Sequence, residues 1–497
     1  MSESWLNLTK VVFEWLAFIF ICCLGLLVIT IAVIYIVDRF QTKQAIRRNY
    51  PVVGRFRYFF EHLGEFFRQY FFAMDREELP FNRAQRSWVY KAAKNLGTTI
   101  AFGSTRDIKS NGYIFFSNCP YPTLSSDSVT PKTVTVGENC PTPWRTSAFF
   151  GISAMSYGAI SKPAVQALSY GAAKAGTWLN TGEGGLSPYH LQGGADIIFQ
   201  IGTANYGVRD NKGHLDDKKL AKVAAYPQVK MFEIKLSQGA KPGKGGILPG
   251  DKVTAEIAEV RGIEVGKASI SPNRHVDIHD DLSLLTKINH VRKITGKPVG
   301  FKVVMGSPEW IDTLCQTIQD QGLEQAPDFI TLDSCDGGTG AAPMTLMDDV
   351  GMSIKESLPL LINTLKRYGL RERIKVFVAG KLVNPADVAW ALCTGADFCN
   401  TARGFMFSLG CIQSLQCNKN TCPTGVATHD LKLQRGLVAK EKSERVAHYA
   451  QNMMKAVGMI AHSCGVEDPR DLNGSHARIV VETGKSISIK DYYAELK

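Results

Sequence analysis

Eight short β-rich runs that alternate with helical stretches constrain the fold of this chain more than any other feature. Alternation of strand and helix indicates βα units and a parallel sheet. Eight units within about 260 residues fit a closed (β/α)8 barrel better than an open sheet. Between the fourth and fifth runs, two further helical runs (251–261 and 281–293) are interpreted as an elaborated βα loop. The predicted strands are residues 148–154, 177–180, 197–202, 231–236, 298–304, 328–332, 375–379 and 398–401.

The segments that follow these strands are rich in glycine. In a (β/α)8 barrel they would form the active face. Glycine lets backbone N–H groups approach a planar ring or a phosphate because no Cβ stands in the way. A turn alone explains any one such segment, but five together favour a phosphate-bearing cofactor. The five segments are residues 153–158, 180–185, 238–246, 333–340 and 379–381.

An uncharged run near the N-terminus predicts a transmembrane helix. Residues 15–37 contain no charged side chain, and at about 1.5 Å per residue they span the roughly 30 Å hydrocarbon layer. The alternative is a cleaved signal peptide, against which the preceding Glu3 and Lys10 argue. Arg39, Lys43 and other cations follow the run, so the positive-inside tendency predicts a single-pass protein of the inner (cytoplasmic) membrane with its large part in the cytoplasm.

The net charge and the spacing of aromatic residues predict the surface of the protein and its division into segments. The formal charge is +11 over 497 residues, but no Lys/Arg tract with interleaved aromatic residues is present, so we expect no nucleic-acid partner and instead a basic surface facing anionic lipid. We predict an N-terminal anchor (1–40), a helical collar with aromatic residues at helical spacing (41–110), the barrel (111–430) and a helical C-terminal extension (431–497).

Three cysteines within twelve residues follow the last predicted strand. Cys411, Cys417 and Cys422 are followed by Pro423, as in ferredoxin-type cysteine runs. In a reducing compartment such thiols are metal ligands more often than disulfides. Three thiolates fit an iron–sulfur cluster, whereas a structural zinc usually takes four ligands and only His429 could complete the set. Buried or spare thiols remain a further alternative.

The spacing Cys-x5-Cys-x4-Cys-Pro, followed by Gly-Val-Ala-Thr at 425–428, resembles the cluster motif of glutamate synthases. The other motifs of that family occur in order: Ile-Ser-Ala-Met-Ser-Tyr-Gly-Ala-Ile-Ser at 152–161, Asn-Thr-Gly-Glu-Gly-Gly at 180–185, Gln-Gly-Ala-Lys-Pro-Gly at 238–243 and Asp-Gly-Gly-Thr-Gly at 336–340. The resemblance covers residues 145–430 strongly. It implies FMN, a [3Fe-4S] cluster and reduction of 2-iminoglutarate, formed from 2-oxoglutarate and ammonia, to glutamate.

The resemblance also assigns residues. It implies catalytic roles for Glu183, Lys235 and Lys241, binding of a 2-oxoglutarate-like acid by Lys241, Arg261 and Gly246, and ligation of the cluster by Cys411, Cys417 and Cys422. Without it, Glu183 could be a helix-capping loop residue and Lys235 could extend to solvent. The FMN would be held by Ser153, Ala154, Met155, Ser156, Lys235, Gln238, Gly337, Gly338, Thr339 and Gly340, and its phosphate by Gly380 and by Thr401 to Arg403.

The chain also departs from the family. It begins Met-Ser-Glu and lacks the glutaminase and C-terminal β-helix domains, so we expect ammonia from solution, an amine donor or a separate glutaminase. No G-x-G-x-x-G follows a strand, so electrons would come from ferredoxin, a reductase subunit or a membrane partner. Ile247 stands where the family has glutamine, and Lys244 where an acid is common. A flavin barrel enzyme of another reaction type and a non-catalytic membrane-tethered subunit therefore remain alternatives.

Overall fold

The computed structural model describes residues 2–494 and 496. The chain divides into two compact units, with the boundary between Ala84 and Gln85. The boundary lies ahead of residue 110, where the sequence predicted the collar to end. Each unit has its own architecture.

The larger unit is a closed barrel of eight parallel strands in sequential order, and the predicted fold class is confirmed. Every predicted strand is present, with ends that shift by a few residues. The last strand pairs with the first, Asn400 opposite Gly151, which closes the barrel. The strands are β1 (Phe150–Ile152), β2 (Trp178–Asn180), β3 (Asp196–Ile201), β4 (Val229–Lys235), β5 (Val299–Val304), β6 (Phe329–Asp333), β7 (Lys375–Ala379) and β8 (Phe398–Thr401).

The two ends of the barrel differ in chemistry. Aromatic rings fill the end where the strands begin: Phe377 and Phe398 stack with ring centroids 4.4 Å apart, and Trp178 meets Phe398 edge to face at 5.6 Å. Buried polar side chains occupy the other end, among them Glu233 and Lys235 near the end of β4. Burying charge is unfavourable without partners or a ligand, so this polar end is the candidate site.

The long connection between β4 and β5 contains both predicted helices, now bounded at Ala255–Arg261 and Asp281–Thr295. A two-stranded ribbon, Ile247–Leu248 with Ser269–Ile270, flanks the first helix. That helix starts at Thr254, whose hydroxyl accepts from the Ile257 N–H, and it stops at Gly262, which adopts a left-handed φ of 69°. Arg261 is therefore the last helical residue.

The C-terminal extension (431–497), predicted to be helical, contains both helices and strands. Helices Leu431–Gln434 and Ala439–Ser463 are followed by a hairpin, Ala477–Glu482 with Lys485–Ser488. The hairpin adds to Ile114–Phe116 and forms a three-stranded sheet. This third strand lies more than 300 residues earlier in the chain, so its pairing with the hairpin depends on tertiary context.

The smaller unit begins with a helix over Ser2–Phe40, followed by Ala45–Asn49, Gly54–Phe67 and a π-helical turn over Arg68–Phe72. Within Ser2–Phe40, residues Trp5–Phe40 are long and apolar enough to cross a membrane. The predicted collar is thus helical at its start. It is not helical at its end, because residues 96–113, in the larger unit, contain no helix.

Candidate functional site

An ion pair lies at the polar end of the barrel. Lys235, the last residue of β4, places its Nζ 3.0 Å from Oε2 of Glu183, which follows β2. Two glycines pack against this carboxylate. A Cβ on Gly202 would lie 2.5 Å from Cβ of Glu183, and a Cβ on Gly246 would collide with its carboxylate oxygen. Both positions therefore require glycine, and the structure brings the predicted Gly246 to Glu183.

Glu183 is held as a carboxylate. Burial by itself would raise its pKa, but the charges of Lys235, Lys241 and Arg261 outweigh burial, so the pKa lies below its usual value. The carboxylate is thus available to accept a proton at neutral pH.

Two further cations are buried here without an anionic partner. Lys241 and Arg261 are only 3% and 4% exposed, and within residues 2–494 neither has a carboxylate oxygen within 4.0 Å of its charged nitrogens. Lys241 reaches only the Gly245 carbonyl, at 3.4 Å. Burial, and then repulsion by Lys235, lower the pKa of Lys241 to about 8. A buried cation without a nearby carboxylate indicates a place where an anionic ligand could bind.

Arg261 is oriented by neutral groups. Its guanidinium donates to the Ser269 hydroxyl and the Tyr157 carbonyl, each at 3.3 Å, and lies 5.2 Å from the Tyr206 ring centroid. Its Nε has no hydrogen-bond partner within the described chain. These contacts are long, so the guanidinium retains donors for a carboxylate.

A second buried ion pair, not among the residues predicted from the sequence, lies beside the first. Lys302 on β5 lies beside Lys235 in register and contacts Asp333 at 3.0 Å. Asp333, at the end of β6, also accepts from the Gly239 N–H at 3.1 Å. The signal was available, because strand alternation aims Lys302 into the barrel just as it does Lys235.

The predicted flavin loops converge after β4, β6 and β7. The Gln238 amide donates to the Thr339 hydroxyl at 2.9 Å. The Gly239 and Gly337 backbones approach so closely that a Cβ on Gly239 would lie 2.6 Å from Cα of Gly337. Gly380 has a φ of 144°, which favours glycine. Such loops present backbone groups and little side chain, which fits a flat ring with a phosphate.

The segments after β1 and β8 also join. The Ser153 N–H donates to the Thr401 carbonyl at 3.2 Å. Ser153 is buried, and Ala154, Met155 and Ser156, which follow it, are half-buried. All these predicted residues therefore line the same end of the barrel as Glu183.

Arg403 connects the flavin loops to the cysteines. Its guanidinium donates to the Thr339 carbonyl, and its Nη1 lies 3.9 Å from Sγ of Cys417. Its side chain also lies against Gly338, where a Cβ would be 2.7 Å from Nε. The sequence predicted Arg403 as a phosphate ligand. That role stays a prediction; in the structure Arg403 lies between the Asp-Gly-Gly-Thr-Gly loop and the cysteine loop (residues 411–422).

The cysteine loop places its three cysteines in a largely buried environment. Cys411 and Cys422 are buried, and Cys417 is half-buried. Burial raises the pKa of the Cys411 thiol to about 11, with smaller contributions in the same direction from Cys417 and Cys422. Within residues 2–494 and 496, no three Cys, His, Asp or Glu side chains form a group that could hold a metal ion. The predicted cluster is therefore not shown.

Other features of the loop fit an anionic cluster. Gln413, Leu415 and Asn420 all adopt left-handed φ angles of 56–59°, which non-glycine residues seldom adopt and which cluster at ligand sites. The buried Lys252 places its Nζ 2.9 Å from the Cys417 carbonyl and 2.8 Å from the Ala427 carbonyl. Lys252 and Arg403 would offset thiolate charge. No local sequence signal singled out Lys252.

His275, given no role from the sequence, supports the end of β4. Its Nε2 lies 3.1 Å from the Lys235 carbonyl, and its Nδ1 lies 3.0 Å from Nζ of Lys287. Lys287 in turn pairs with Asp277 at 2.9 Å. Burial, and then the Lys287 charge, lower the pKa of His275 to about 3, so the ring is neutral. This neutral ring fixes the backbone that carries Lys235.

A cavity of about 1000 Å³ lies beside these residues, between the loop after β3 and the helix Asp281–Thr295. Thr203, Pro272 and Lys287 are among its lining residues, but none of the predicted site residues is. The chemistry of the site therefore lies with the buried charges and not in this open cavity.

Several known proteins are similar to this chain in sequence. A family model described as "Conserved region in glutamate synthase" matches residues 122–467. The chain is 40% identical to the glutamate synthase large subunit-like protein YerD of Bacillus subtilis, over 93% of this chain and 95% of that protein. It is 32% identical to the archaeal-type glutamate synthase [NADPH] of Thermotoga sp. and 31% identical to the archaeal glutamate synthase [NADPH] of Archaeoglobus fulgidus. Each of these alignments covers 69% of this chain and less than two thirds of the relative, 64% and 63%.

Proposed function

Because this chain belongs to the glutamate synthase family, we propose that it is an oxidoreductase that reduces 2-iminoglutarate, the imine of 2-oxoglutarate and ammonia, to glutamate. The carrying observation is the buried pair of cations, Lys241 and Arg261, that lack a carboxylate partner and lie near Glu183. A substrate with two carboxylates supplies the two missing negative charges.

The proposed reaction has two steps, imine formation and imine reduction, and its atoms and electrons balance. Ammonia adds to the keto carbon of 2-oxoglutarate and water leaves, which forms the C=N bond. Reduction of that bond takes up two electrons and two protons and gives the amine of glutamate. When bound, FMN would supply the hydride, and a [3Fe-4S] cluster would supply its electrons singly.

The side chains of the protein bind and orient the substrate. Arg261 and Lys241 hold its carboxylates, and this fixes the keto carbon near Glu183. The Glu183 carboxylate accepts a proton from ammonium as nitrogen attacks and returns one as water departs. Lys235, 3.0 Å from Glu183, orients the carboxylate and keeps it charged.

Two sets of residues would hold the cofactors. The glycine loops with Gln238 and Thr339 would cradle FMN, and Gly380 with Thr401 would approach its phosphate. Cys411, Cys417 and Cys422 would ligate the cluster. Arg403, which contacts both Thr339 and Cys417, would lie between the two groups.

The test is product formation by the full chain in detergent. With a chemical reductant, 2-oxoglutarate and isotope-labelled ammonium, we expect labelled glutamate. Pyruvate, which has one carboxylate, serves as the matched comparison and should be used far less efficiently because it leaves one cation unpaired. Equal turnover of both acids would remove the dicarboxylate assignment.

A second candidate keeps the flavin barrel but changes the acid. Ile247 and Lys244 depart from the family pattern, which favours a different 2-oxo or hydroxy acid. Both side chains are exposed, however, whereas Lys241 and Arg261 are buried and match the family. The buried charges therefore favour the dicarboxylate.

The low pKa of Lys241 predicts a pH limit on substrate capture. Below about pH 8 the amine is charged and binds a carboxylate; above this value it loses its proton. We expect kcat/KM for 2-oxoglutarate to fall about tenfold per pH unit above the pKa. The measurement is a pH profile at constant free ammonia. Lys241→Arg stays charged, so in this variant the fall of kcat/KM should begin at a higher pH. If it begins at the same pH as in the parent, the titrating group is not Lys241.

Replacing Cys417 with serine is expected to remove most of the iron from the purified protein, because two thiolates hold an iron–sulfur cluster poorly. Iron content and the visible absorbance of the cluster measure this. The matched control is Cys119→Ser, which changes a half-buried thiol outside the cysteine loop and should retain iron. A full cluster in the Cys417 variant would refute the ligand assignment.

We also propose that Trp5–Phe40 anchors the protein in the cytoplasmic membrane with the barrel on the cytoplasmic side. The support is the length of this apolar helix and the cations that follow it. Electrons would come from ferredoxin, a reductase subunit or a membrane partner, and ammonia from solution, an amine donor or a separate glutaminase. Flotation of the full chain with lipid vesicles tests the anchor.

A further inference from the structure

The smaller unit presents an exposed aromatic face. It lies on the helix Gly54–Phe67 and its π-helical continuation Arg68–Phe72, together called the aromatic helix (residues 54–72). Apolar residues recur at intervals of three or four, which places them along one stripe. Some of them contact each other, as where the rings of Phe67 and Phe71 lie 5.3 Å apart. The stripe is Phe56, Phe59, Phe60, Leu63, Phe67 and Phe71.

This face is too exposed for a helix that packs on a protein core. Phe56, Phe60 and Phe71 are 57%, 61% and 75% exposed, and Gly54 is the one buried residue of the helix Gly54–Phe67. A contiguous exposed apolar patch marks an interaction surface or a lipid contact.

Polar residues occupy the opposite side of the aromatic helix. Arg57, Glu61, Glu65 and Arg68 lie there, so the helix is amphipathic with charges of both signs. Its short neighbour Ala45–Asn49 is basic, with Arg47 and Arg48 in its last turn. With Arg39 and Lys43 the segment from 39 to 57 carries an excess of cations, since Asp38 and Glu61 lie outside it. An anionic surface complements this charge.

The aromatic helix is tied to the end of the apolar span. Asp38, near the end of the helix Ser2–Phe40, is fully buried and pairs with Arg47 at 2.6 Å and with Arg55 at 2.8 Å. Its other contact is the Val52 N–H, at 3.1 Å. Arg55 is the second residue of the aromatic helix, so this ionic clamp fixes where the helix begins relative to the end of the span.

We propose that the aromatic helix lies in the headgroup region of an anionic lipid bilayer, beside the end of Trp5–Phe40, with its aromatic stripe in the acyl-chain boundary. Aromatic side chains favour this interface, and amphipathic helices bind there through apolar area and attraction to anionic lipid. The inference rests on the proposed membrane anchor. It adds a second lipid contact, which would hold the chain at the membrane surface at the point where it emerges from the bilayer.

The test uses tryptophan fluorescence of the full chain in vesicles of phosphatidylcholine and phosphatidylglycerol with lipids brominated near the headgroup end. Bromine quenches tryptophan on contact. The parent has Trp5 and Trp15 in the span and further tryptophans in the larger unit, and quenching of the first two reports the anchor. Phe60→Trp adds a probe on the stripe, and Phe71→Trp adds one about three helical turns further along it. Tyr121→Trp, at an 88% exposed site in the larger unit, is the matched control.

We expect the fluorescence added at position 60 or 71 to fall by roughly half or more in brominated vesicles, and more with phosphatidylglycerol than without it. The fluorescence added at position 121 should not change. Quenching of the parent without quenching of the added probes would keep the anchor and overturn the inference. Probes that are covered by a second copy of the chain, and so do not contact lipid, would also overturn it. An unquenched parent that fails to float with vesicles would remove the anchor proposal itself.

Discussion

Replacing Arg261 with glutamine is expected to lower kcat/KM for 2-oxoglutarate by about 30-fold to 3000-fold. The guanidinium is buried, and its contacts to Ser269 and Tyr157 are long and neutral. Removing one partner of a buried charge pair costs about 2–5 kcal/mol, which corresponds to that range. The loss should appear mainly as a higher KM, because the carboxylate is bound in both the ground and transition states.

The matched control is Arg209→Gln. Arg209 also lies over the Tyr206 ring, at 5.7 Å, but it lines the neighbouring cavity and not the site. Its replacement should leave kcat/KM within about twofold. Stability provides a second readout. Because Arg261 is a buried charge without a carboxylate partner, Arg261→Gln should leave the substrate-free protein as stable or make it more stable. A large loss of stability would identify a structural role.

Replacing Glu183 with glutamine is expected to lower kcat by about 10²-fold to 10⁴-fold, the usual contribution of a positioned acid–base group. Glutamine keeps the volume beside Gly202 and Gly246 but cannot carry the proton. The affinity for 2-oxoglutarate should hold or rise, because the variant removes a negative charge near Lys241 and Arg261. Steady-state kinetics with varied 2-oxoglutarate separates the two effects.

The control for this variant is Glu259→Gln, on the exposed side of the helix that ends at Arg261. It should retain the parental kcat. If Glu183→Gln kept the parental kcat while KM rose, Glu183 would act in binding or structure and the proton-transfer role would be wrong.

The barrel was predictable because each of its strands is a local pattern. Short apolar runs separated by helical stretches define βα units without knowledge of distant contacts. The three-stranded sheet that contains the C-terminal hairpin was not predictable in this way. Its central strand Ala477–Glu482 pairs with Ile114–Phe116, and a pairing between strands so far apart in the chain depends on tertiary context.

The site was predictable where residues follow strands directly. Glu183, Lys235 and the Asp-Gly-Gly-Thr-Gly loop meet because the carboxyl ends of parallel strands share one end of the barrel. Lys252 and the contacts of Arg403 were not predictable. Lys252 binds carbonyls far along the chain, and Arg403 contacts both Thr339 and Cys417, which lie on two different loops.

One measurement tests the synthase assignment most directly. The full chain, purified in detergent and reduced anaerobically with a chemical donor, is monitored by flavin absorbance before and after 2-oxoglutarate and ammonium are added together. The account predicts that the bound flavin is bleached by the donor, that it is reoxidised only when both compounds are present, and that one glutamate forms per flavin reoxidised. A reducible flavin that stays reduced with both compounds present would contradict the assignment of 2-iminoglutarate as substrate.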